Sequence, residues 1–187
     1  HALGKSRAPT HRVTAAGTHI YREASIKRGE VMGLSLGAEV TVTGEDGIFA
    51  VLPEGYVPML HLAPLAMGEA DPVAVAERLI HTPYLWGGNG RDGIDCSGLV
   101  QAALRVCGRA CPADSDQQWA GLGQVLPEGA APRRGDLMFW KGHVAWVADD
   151  RRLLHANGQT MSVSYEDIEA ARARIAAAGE GAYLGIK

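Results

Sequence analysis

Short apolar runs separated by turn residues fill the first third of the chain. The stretches THIYREA, AEVTVTG, GIFAVLP and GYVPML carry β-branched or aromatic residues, with Gly, Pro or Asp between them. This pattern is typical of short strands, and GEDG at Gly44–Gly47 predicts a turn between two of them. Several short strands at this spacing indicate a small closed or half-closed β-barrel over residues 1–66.

The hydrophobic period changes from two to about 3.6 after a linker at Ala63–Pro72. Asp71 and Pro72 fit the N-cap and first position of a helix, and Pro83 is expected to stop it. From Ser97 the stretch SGLVQAALRVC again places apolar residues on one helical face. The sequence therefore predicts two helices flanking a glycine-rich segment.

The remaining pattern predicts strands first and then a helix. DLMFW, HVAWVAD and RRLLHAN are strand-like, and DDRR at Asp149–Arg152 is a plausible hairpin turn between the last two. An Ala- and Arg-rich helix is expected over about residues 165–178, followed by a last strand in GAYLGIK. Helices followed by antiparallel strands are typical of an α+β domain, here over residues 67–187.

Composition excludes several classes of partner. The chain has 187 residues, which suits one ordinary domain or two small ones. A formal net charge of −3 gives no basic surplus, so nucleic acid is not an expected partner. No apolar stretch approaches the length that spans a bilayer, so no membrane partner is expected. HALGKSRAPTHRV lacks the apolar core of a secretory signal, which predicts the cytoplasm, although a leader before His1 could have been removed.

The glycine-rich stretch YLWGGNGRDGIDCSGLV, Tyr84–Val100, could cradle a phosphate or present a thiol. It lacks both the Lys-Ser/Thr pair of a P-loop and the GxGxxG pattern, and it follows a helical rather than a strand-like segment. A nucleotide site is therefore disfavoured. A simple turn between helices would explain the glycines but not the Asp95, Cys96 and Ser97 that follow them.

Cys96 falls at the predicted start of a helix, where unpaired N–H groups and the helix dipole stabilise an anion. This position predicts a lowered thiol pKa and donors for an oxyanion. Cys107 lies further along the same helix and fits a small apolar role. Three cysteines do not suggest a disulfide framework, although Cys107 and Cys111 could pair outside a reducing compartment. Without C-x-x-C or H-E-x-x-H, no metal or cofactor is expected.

A cysteine nucleophile needs a base, and two of the seven histidines are well placed to serve it. His143 begins the strand HVAWV and His155 ends the next strand-like run. If the two strands form a hairpin, their side chains become cross-strand neighbours. The alternative is a pair of surface histidines, but Cys96 favours a Cys-His-His arrangement.

Five blocks resemble the NlpC-type papain-like cysteine peptidases of bacterial cell-wall metabolism. They are PYLWGG, GIDCSGLV, RRGDLMFW, GHVAWV and LLHANG, and they occur in that family's order over roughly residues 70–187. The N-terminal part is similar, more loosely, to the bacterial SH3-like barrel that often accompanies these enzymes. The resemblance implies a papain-like α+β domain at 67–187 after an SH3-like domain at 1–66.

The resemblance also implies roles for individual residues. Cys96 would be the nucleophile, His143 its base and His155 the polar residue that orients His143. Tyr84 would place its hydroxyl near the thiol, and Asp95 and Ser97 would bind substrate. Apart from the resemblance, Glu54 and Tyr56 near the last strand of the barrel are candidates for the pocket wall. Trp86, beside Gly87 and Gly88, is a substrate-binding candidate whose alternative role is core packing.

In relatives that carry the barrel, this site holds a free L-alanine amino terminus. The predicted function is therefore a monomeric peptidase that cuts the γ-D-glutamyl–diamino acid bond of murein stem peptides. L-Ala-γ-D-Glu-diaminopimelate is the type of substrate, and recycling in the cytoplasm is the expected setting. Two alternatives stay open: an amidase or acyltransferase with the same Cys and His, and a catalytically silent wall-binding module in which the barrel is the working part.

Overall fold

The structure is a computed structural model that describes residues 8–179 and 181–187. The chain divides into two compact units, His1–Gly68 and Glu69–Lys187. The described part of the first unit consists of strands and one short 3-10 helix, whereas the second combines helices with an antiparallel sheet. The second unit therefore has the predicted α+β class.

Two antiparallel sheets build the first unit, with strand orders β4-β1-β8 and β3-β2-β7-β6-β5. Gly44–Asp46 is a strand rather than the predicted turn, because it pairs with the strand that begins at Phe49. The pairing among residues 8–68 closes no ring, so a barrel stays a prediction. The elements are β1 His11–Val13, β2 Gly17–Tyr21, β3 Glu30–Ser35, β4 Glu39–Val40, β5 Gly44–Asp46, β6 Phe49–Leu52, β7 Gly55–Pro58, the 3-10 helix Met59–His61 and β8 Leu62–Pro64.

The second unit opens with three helices and a small hairpin. Asp71 caps the first helix by accepting from the N–H groups of Val73 and Ala74, as the sequence predicts. That helix ends well before Pro83, since its hydrogen-bonding changes at Arg78. The helix Cys96–Val106 packs against the first helix, Pro72–Glu77, and against the sheet strand that begins at His143. The elements are α1 Pro72–Glu77, β9 Asn89–Gly90, β10 Gly93–Ile94, α2 Cys96–Val106 and α3 Ser115–Gly121.

A five-stranded antiparallel sheet in the order β14-β13-β12-β11-β15 completes the second unit. Its strands are β11 Leu137–Trp140, β12 His143–Val147, β13 Arg152–Asn157, β14 Ser162–Asp167 and β15 Tyr183–Ile186. The hairpin between β12 and β13 and the last strand are confirmed. One side of the sheet packs on α4, Ile168–Ala178, through Ile168, Ala171 and Ile175.

The predicted start of the last helix was wrong. Residues 162–167 form β14, which pairs with β13 along its whole length, and α4 begins only at Ile168. Asp167 marks the change, because its carboxylate accepts from the N–H groups of Glu169 and Ala170. This correction matters for the site, since it moves Glu166 from a helix onto the sheet.

In the described ranges, none of the helices has the length and apolar character needed to cross a bilayer.

Candidate active site

The start of α2 holds Cys96 against the glycine-rich segment. Asp95 is the N-cap of the helix, and its Oδ1 accepts from the N–H of Gly98 at 2.7 Å. A Cβ at Gly98 would lie 2.4 Å from the carbonyl oxygen of Gly88, which no side chain could tolerate. The glycine therefore lets the preceding loop lie directly on the first turn of the helix.

The Cys96 thiol is buried, with 7% of the residue exposed. Burial raises the pKa of the Cys96 thiol, and the nearby Asp95 carboxylate raises it further. Hydrogen bonds from the backbone N–H groups of Val144, Ser97 and Cys96 lower the pKa, but they do not offset desolvation. The expectation of a lowered thiol pKa was therefore wrong, because it counted the helix terminus and not the burial.

His143 and His155 meet across the β12–β13 hairpin. Nε2 of His143 lies 2.9 Å from Nδ1 of His155. Trp146 pairs with Leu154, a register that places the two imidazoles diagonally rather than directly opposite each other. His155 is fully buried, while His143 is half-buried and follows Gly142 at the start of its strand. The backbone N–H of Val144, the residue after His143, lowers the pKa of Cys96, so the sulfur lies close to the start of β12.

Burial also acts on the imidazole of His143. It lowers the pKa of His143 to about 3, with further lowering by His155 and Arg174 and an opposing effect of Glu166. Desolvation thus disfavours both a thiolate at Cys96 and an imidazolium at His143. With both charged forms disfavoured, proton transfer from sulfur to nitrogen is expected to accompany attack by the thiol rather than to precede it.

Behind His155 lies a carboxylate that the sequence analysis missed. Oε2 of Glu166 is 3.0 Å from Nε2 of His155. Arg174 holds the other side of this carboxylate, with Nε 2.9 Å from Oε1 and a terminal nitrogen 2.9 Å from Oε2. The guanidinium, and then His155, lower the pKa of Glu166 to about 2. Hydrogen bonds join His143, His155, Glu166 and Arg174 in that order. Together with Cys96, which lies next to the start of β12, these residues are called the polar chain.

A cavity of about 260 Å³ opens beside His143, with Tyr84, Trp86, Asn157 and Arg174 among its lining residues. The pKa of Tyr84 is raised by burial first and then by the charges of Cys96 and Asp95, which places its hydroxyl near both. Trp86 is 83% exposed, and its role in substrate binding stays a prediction. The structure thus brings Tyr84 and Trp86 to the same cavity as the predicted base.

Asp95 and Ser97 are tied into the local structure. The Ser97 hydroxyl lies 3.1 Å from Oδ1 of Asp95. The Ser97 carbonyl accepts from Nε2 of Gln118 at 2.9 Å, and Gln118 is fully buried. Gln118 was also missed, because a glutamine in QQW gives no sign in sequence that it braces a distant helix. Asp95 and Ser97 flank Cys96 in the chain, and their roles in binding substrate stay predictions.

Glu54 and Tyr56 belong to the first unit. Glu54 is exposed at the turn between β6 and β7, and Tyr56 lies in β7 opposite Val51 and Tyr21. Their assignment to substrate binding stays a prediction.

Across residues 8–179 and 181–187, no group of three or more His, Cys, Asp or Glu side chains is arranged to hold a metal ion.

Residues 81–177 match the NlpC/P60 family, which covers just over half of the chain and all of the polar chain described above. The chain belongs to the NlpC/P60 family of cell-wall peptidases. The α+β fold of its second unit is the fold of that family.

Two Bacillus subtilis proteins are among the relatives of this NlpC/P60 chain. A γ-D-glutamyl-L-lysine dipeptidyl-peptidase is 30% identical over 130 residues, which covers 62% of the chain and 43% of that protein. A γ-DL-glutamyl hydrolase is 31% identical over 110 residues, covering 54% of the chain and 26% of that protein. The chain therefore spans less than half the length of either relative.

A solved NlpC/P60 family protein from Bacillus cereus superposes on this NlpC/P60 chain with a TM-score of 0.77 and 22% identity. The match covers 96% of the chain and 62% of that structure. At this level of identity the likeness concerns the fold.

Proposed function

We propose that the protein is a cysteine endopeptidase of murein stem peptides. It hydrolyses the bond between γ-D-glutamate and the following diamino acid in peptides that begin with a free L-alanine. The observation that carries the proposal is the His143–His155 hydrogen bond beside a thiol at the start of α2. The name of the γ-D-glutamyl-L-lysine dipeptidyl-peptidase relative supports the choice of bond.

Acylation begins with proton transfer from Cys96 to His143 as the sulfur attacks the γ-carbonyl carbon. The carbonyl oxygen becomes an oxyanion, and backbone N–H groups at the start of α2 are available to stabilise it. The protonated His143 then gives its proton to the leaving amine of the diamino acid. The products of this half-reaction are a free amine and a thioester on Cys96.

Deacylation uses the same groups in reverse order. His143 is neutral again after the amine leaves, so it can take a proton from an incoming water. The resulting hydroxide adds to the thioester carbonyl, and the sulfur leaves with the proton held by His143. The γ-carboxylic acid is released and the thiol is restored.

Asp95, Ser97 and Tyr84 are proposed to hold the ammonium of the substrate's L-alanine. The Asp95 carboxylate accepts bonds from Ser97, Gly98 and Gly87. A carboxylate oxygen has more than one lone pair, so these bonds leave acceptor capacity for an ammonium. The partial burial of Asp95 strengthens attraction to a cation relative to an exposed carboxylate.

The first test compares Cys96→Ala with Cys107→Ala on L-Ala-γ-D-Glu-diaminopimelate. Cleavage is followed by mass spectrometry of the two products. Cys96→Ala should lose activity completely with an unchanged circular dichroism spectrum, and Cys107→Ala, at the residue that follows the end of the same helix, should keep it. Undiminished turnover by Cys96→Ala would overturn the proposal.

The second test addresses the amino terminus of the substrate. N-acetylation removes the positive charge of L-alanine and adds bulk where Asp95 is proposed to bind. The acetylated peptide should be cleaved at least tenfold more slowly at low substrate concentration, which corresponds to about 1.4 kcal/mol. Equal cleavage of both peptides would rule out the Tyr84, Asp95 and Ser97 pocket while leaving the peptidase chemistry intact.

Three further parts of the proposal concern the setting of the enzyme. Residues 1–66 are proposed to be an SH3-like domain, supported by their short antiparallel strands. The enzyme is proposed to act as a monomer in the cytoplasm on small recycled peptides. Light scattering of the purified protein and fractionation of cells producing the full-length protein test the last two points.

A further inference from the structure

We propose that Glu166 is a positioning residue that fixes the tautomers of both histidines and leaves Nδ1 of His143 as the ring nitrogen that accepts the thiol proton. The inference deepens the proposed function and rests on its Cys96–His143 chemistry. It starts from three contacts: His143 to His155, His155 to Glu166, and Glu166 to Arg174.

Two hydrogen-bonded neutral imidazoles are ambiguous by themselves. Each ring has one N–H donor and one acceptor nitrogen. The contact between Nε2 of His143 and Nδ1 of His155 can therefore form with the proton on either side. If His155 donates, His143 must carry its own proton on Nδ1, and it then has no lone pair to offer Cys96. A second histidine alone would thus permit an inactive arrangement.

Glu166 removes this ambiguity because an ionised carboxylate only accepts hydrogen bonds. Nε2 of His155 must carry the proton that it donates to Oε2 of Glu166, over the observed 3.0 Å. The Nδ1 atom of His155 is then an acceptor, so Nε2 of His143 must be the donor over 2.9 Å. The remaining nitrogen of His143, Nδ1, keeps its lone pair for the thiol.

Arg174 keeps Glu166 in the required state. Its two nitrogen atoms bind both carboxylate oxygens, a bidentate arrangement that fixes orientation as well as charge. Because this guanidinium already supplies the positive charge opposite Glu166, the carboxylate requires only a hydrogen-bond donor from His155 and not a second cation. The register adds a second constraint: Leu153 faces Glu166 and His155 faces Ser164, so His155 and Glu166 are diagonal neighbours on one face of the sheet.

The same arrangement suits the protonated intermediate. When His143 takes the thiol proton on Nδ1, its Nε2–H bond to His155 is unchanged, and so is the bond from His155 to Glu166. No ring flip or second proton shift is required during the reaction. The negative charge of Glu166 also favours the imidazolium, since it opposes the lowering of the His143 pKa by burial.

Nitrogen NMR of the imidazole rings tests the inference without any substrate. Two-bond ¹H–¹⁵N correlation spectra distinguish a protonated ring nitrogen from an unprotonated one. At neutral pH the wild-type protein should show protonated Nε2 and unprotonated Nδ1 for both His143 and His155. A wild-type His155 that carries its proton on Nδ1, alone or in addition, would overturn the proposal.

Variants then connect the tautomers to rate. Glu166→Ala should convert part of the His155 population to the Nδ1–H form and lower kcat by up to about 10⁴-fold, the loss seen when the orienting carboxylate of a Ser-His-Asp triad is replaced. KM should change little, because Glu166 is not proposed to contact substrate. Unchanged tautomers with an unchanged kcat would equally overturn the proposal.

Glu77→Ala is the matched control. Glu77 is also bound by an arginine, Arg134, but it contacts the hydroxyl of Tyr165 rather than a histidine. This variant should keep both tautomers and keep kcat within about threefold. If Glu166→Ala does not fold, Glu166→Gln serves instead, because its amide can present oxygen or nitrogen to His155 and should give a mixture of tautomers.

The readouts separate this inference from the proposed function. If wild-type protein has the expected tautomers but does not cleave muropeptides, the substrate assignment fails and the positioning role stands. If it cleaves them but His155 carries its proton on Nδ1, the peptidase assignment stands and the positioning role fails.

Discussion

Gly87 donates its backbone N–H to Oδ2 of Asp95 over 2.9 Å, while Oδ1 of the same carboxylate caps α2 through Gly98. One side chain thus joins the glycine-rich loop to the first turn of the helix. Because Cys96 is the next residue in the chain, the position of its sulfur depends on this double attachment. Asp95 therefore stabilises the position of the thiol, independently of its proposed role in binding substrate.

Replacing Asp95 by Ala should destabilise the protein by about 0.5–2 kcal/mol, the usual cost of losing an N-cap. Asp71→Ala removes the matching cap of α1 and is the control. Both variants should lower the urea midpoint by similar amounts, but only Asp95→Ala should also change the alkylation rate of Cys96. Equal alkylation rates in the two variants would show that the loop attachment does not position the thiol.

Gly98→Ala should be strongly destabilising, by about 3 kcal/mol or more, because the new methyl group meets backbone that cannot move aside. Gly121→Ala is the matched helical control, since its Cβ would meet only Pro112 at 3.7 Å. Alanine there should be neutral or stabilising by up to about 1 kcal/mol. Thermal unfolding of both variants measures the contrast, and similar melting temperatures would contradict the steric argument.

The pKa of Cys96 predicts a specific alkylation profile. Since burial raises the pKa of this thiol, its reaction with iodoacetamide should keep accelerating above the ordinary thiol range, without a plateau near neutral pH. Mass spectrometry of the peptide containing residue 96 separates it from Cys107 and Cys111. A plateau below pH 7 would instead indicate a preformed thiolate–imidazolium pair.

Glu166 should contribute to stability in a defined pH range. Its folded pKa of about 2 lies below the reference value of 4.5, so its contribution is fully present above pH 4.5 and is lost as pH falls through 2. Glu166→Gln should therefore cost on the order of 1–2 kcal/mol at pH 7, after allowance for solvent screening.

The free energy of unfolding of Glu166→Gln should approach that of the wild type as the pH falls below 4.5. Urea unfolding of both proteins at several pH values measures this convergence. The Glu77→Gln variant provides a comparison, because arginine and tyrosine contacts also lower the pKa of Glu77. If the stability difference between Glu166→Gln and the wild type does not change with pH, a pH-dependent ion pair is excluded as its cause.

Local signals in the sequence predicted much of the second unit. The Asp71-Pro72 start, the DDRR hairpin and the final strand follow from chemistry within a few neighbouring residues. Glu166 escaped prediction because the helix was expected to begin near residue 165, and the strand β14 depends on pairing with β13 rather than on local preference. Strand pairing between distant segments is the information that periodicity does not carry.

The pKa shifts of the site residues were harder to predict than which residues form the site. The start of a helix was visible in sequence and suggested an acidic thiol. The burial of Cys96 depends on how α2 packs against β12, which no local pattern reports. The contact between Arg174 and Glu166 was also not predictable from local sequence. It depends on how α4 packs against β14, since Arg174 reaches the carboxylate from that helix.

The polar chain from Cys96 to Arg174 has a consequence for biosynthesis. Its members lie on α2, β12, β13, β14 and α4. The ribosome therefore adds Cys96 first and Arg174, whose guanidinium binds Glu166, last. A nascent chain that ends before α4 carries the thiol but cannot hold Glu166 or direct the protons of both rings. The enzyme is therefore expected to acquire full activity only after nearly the whole second unit has left the ribosome. Its own fold delays the moment at which the newly made hydrolase can act.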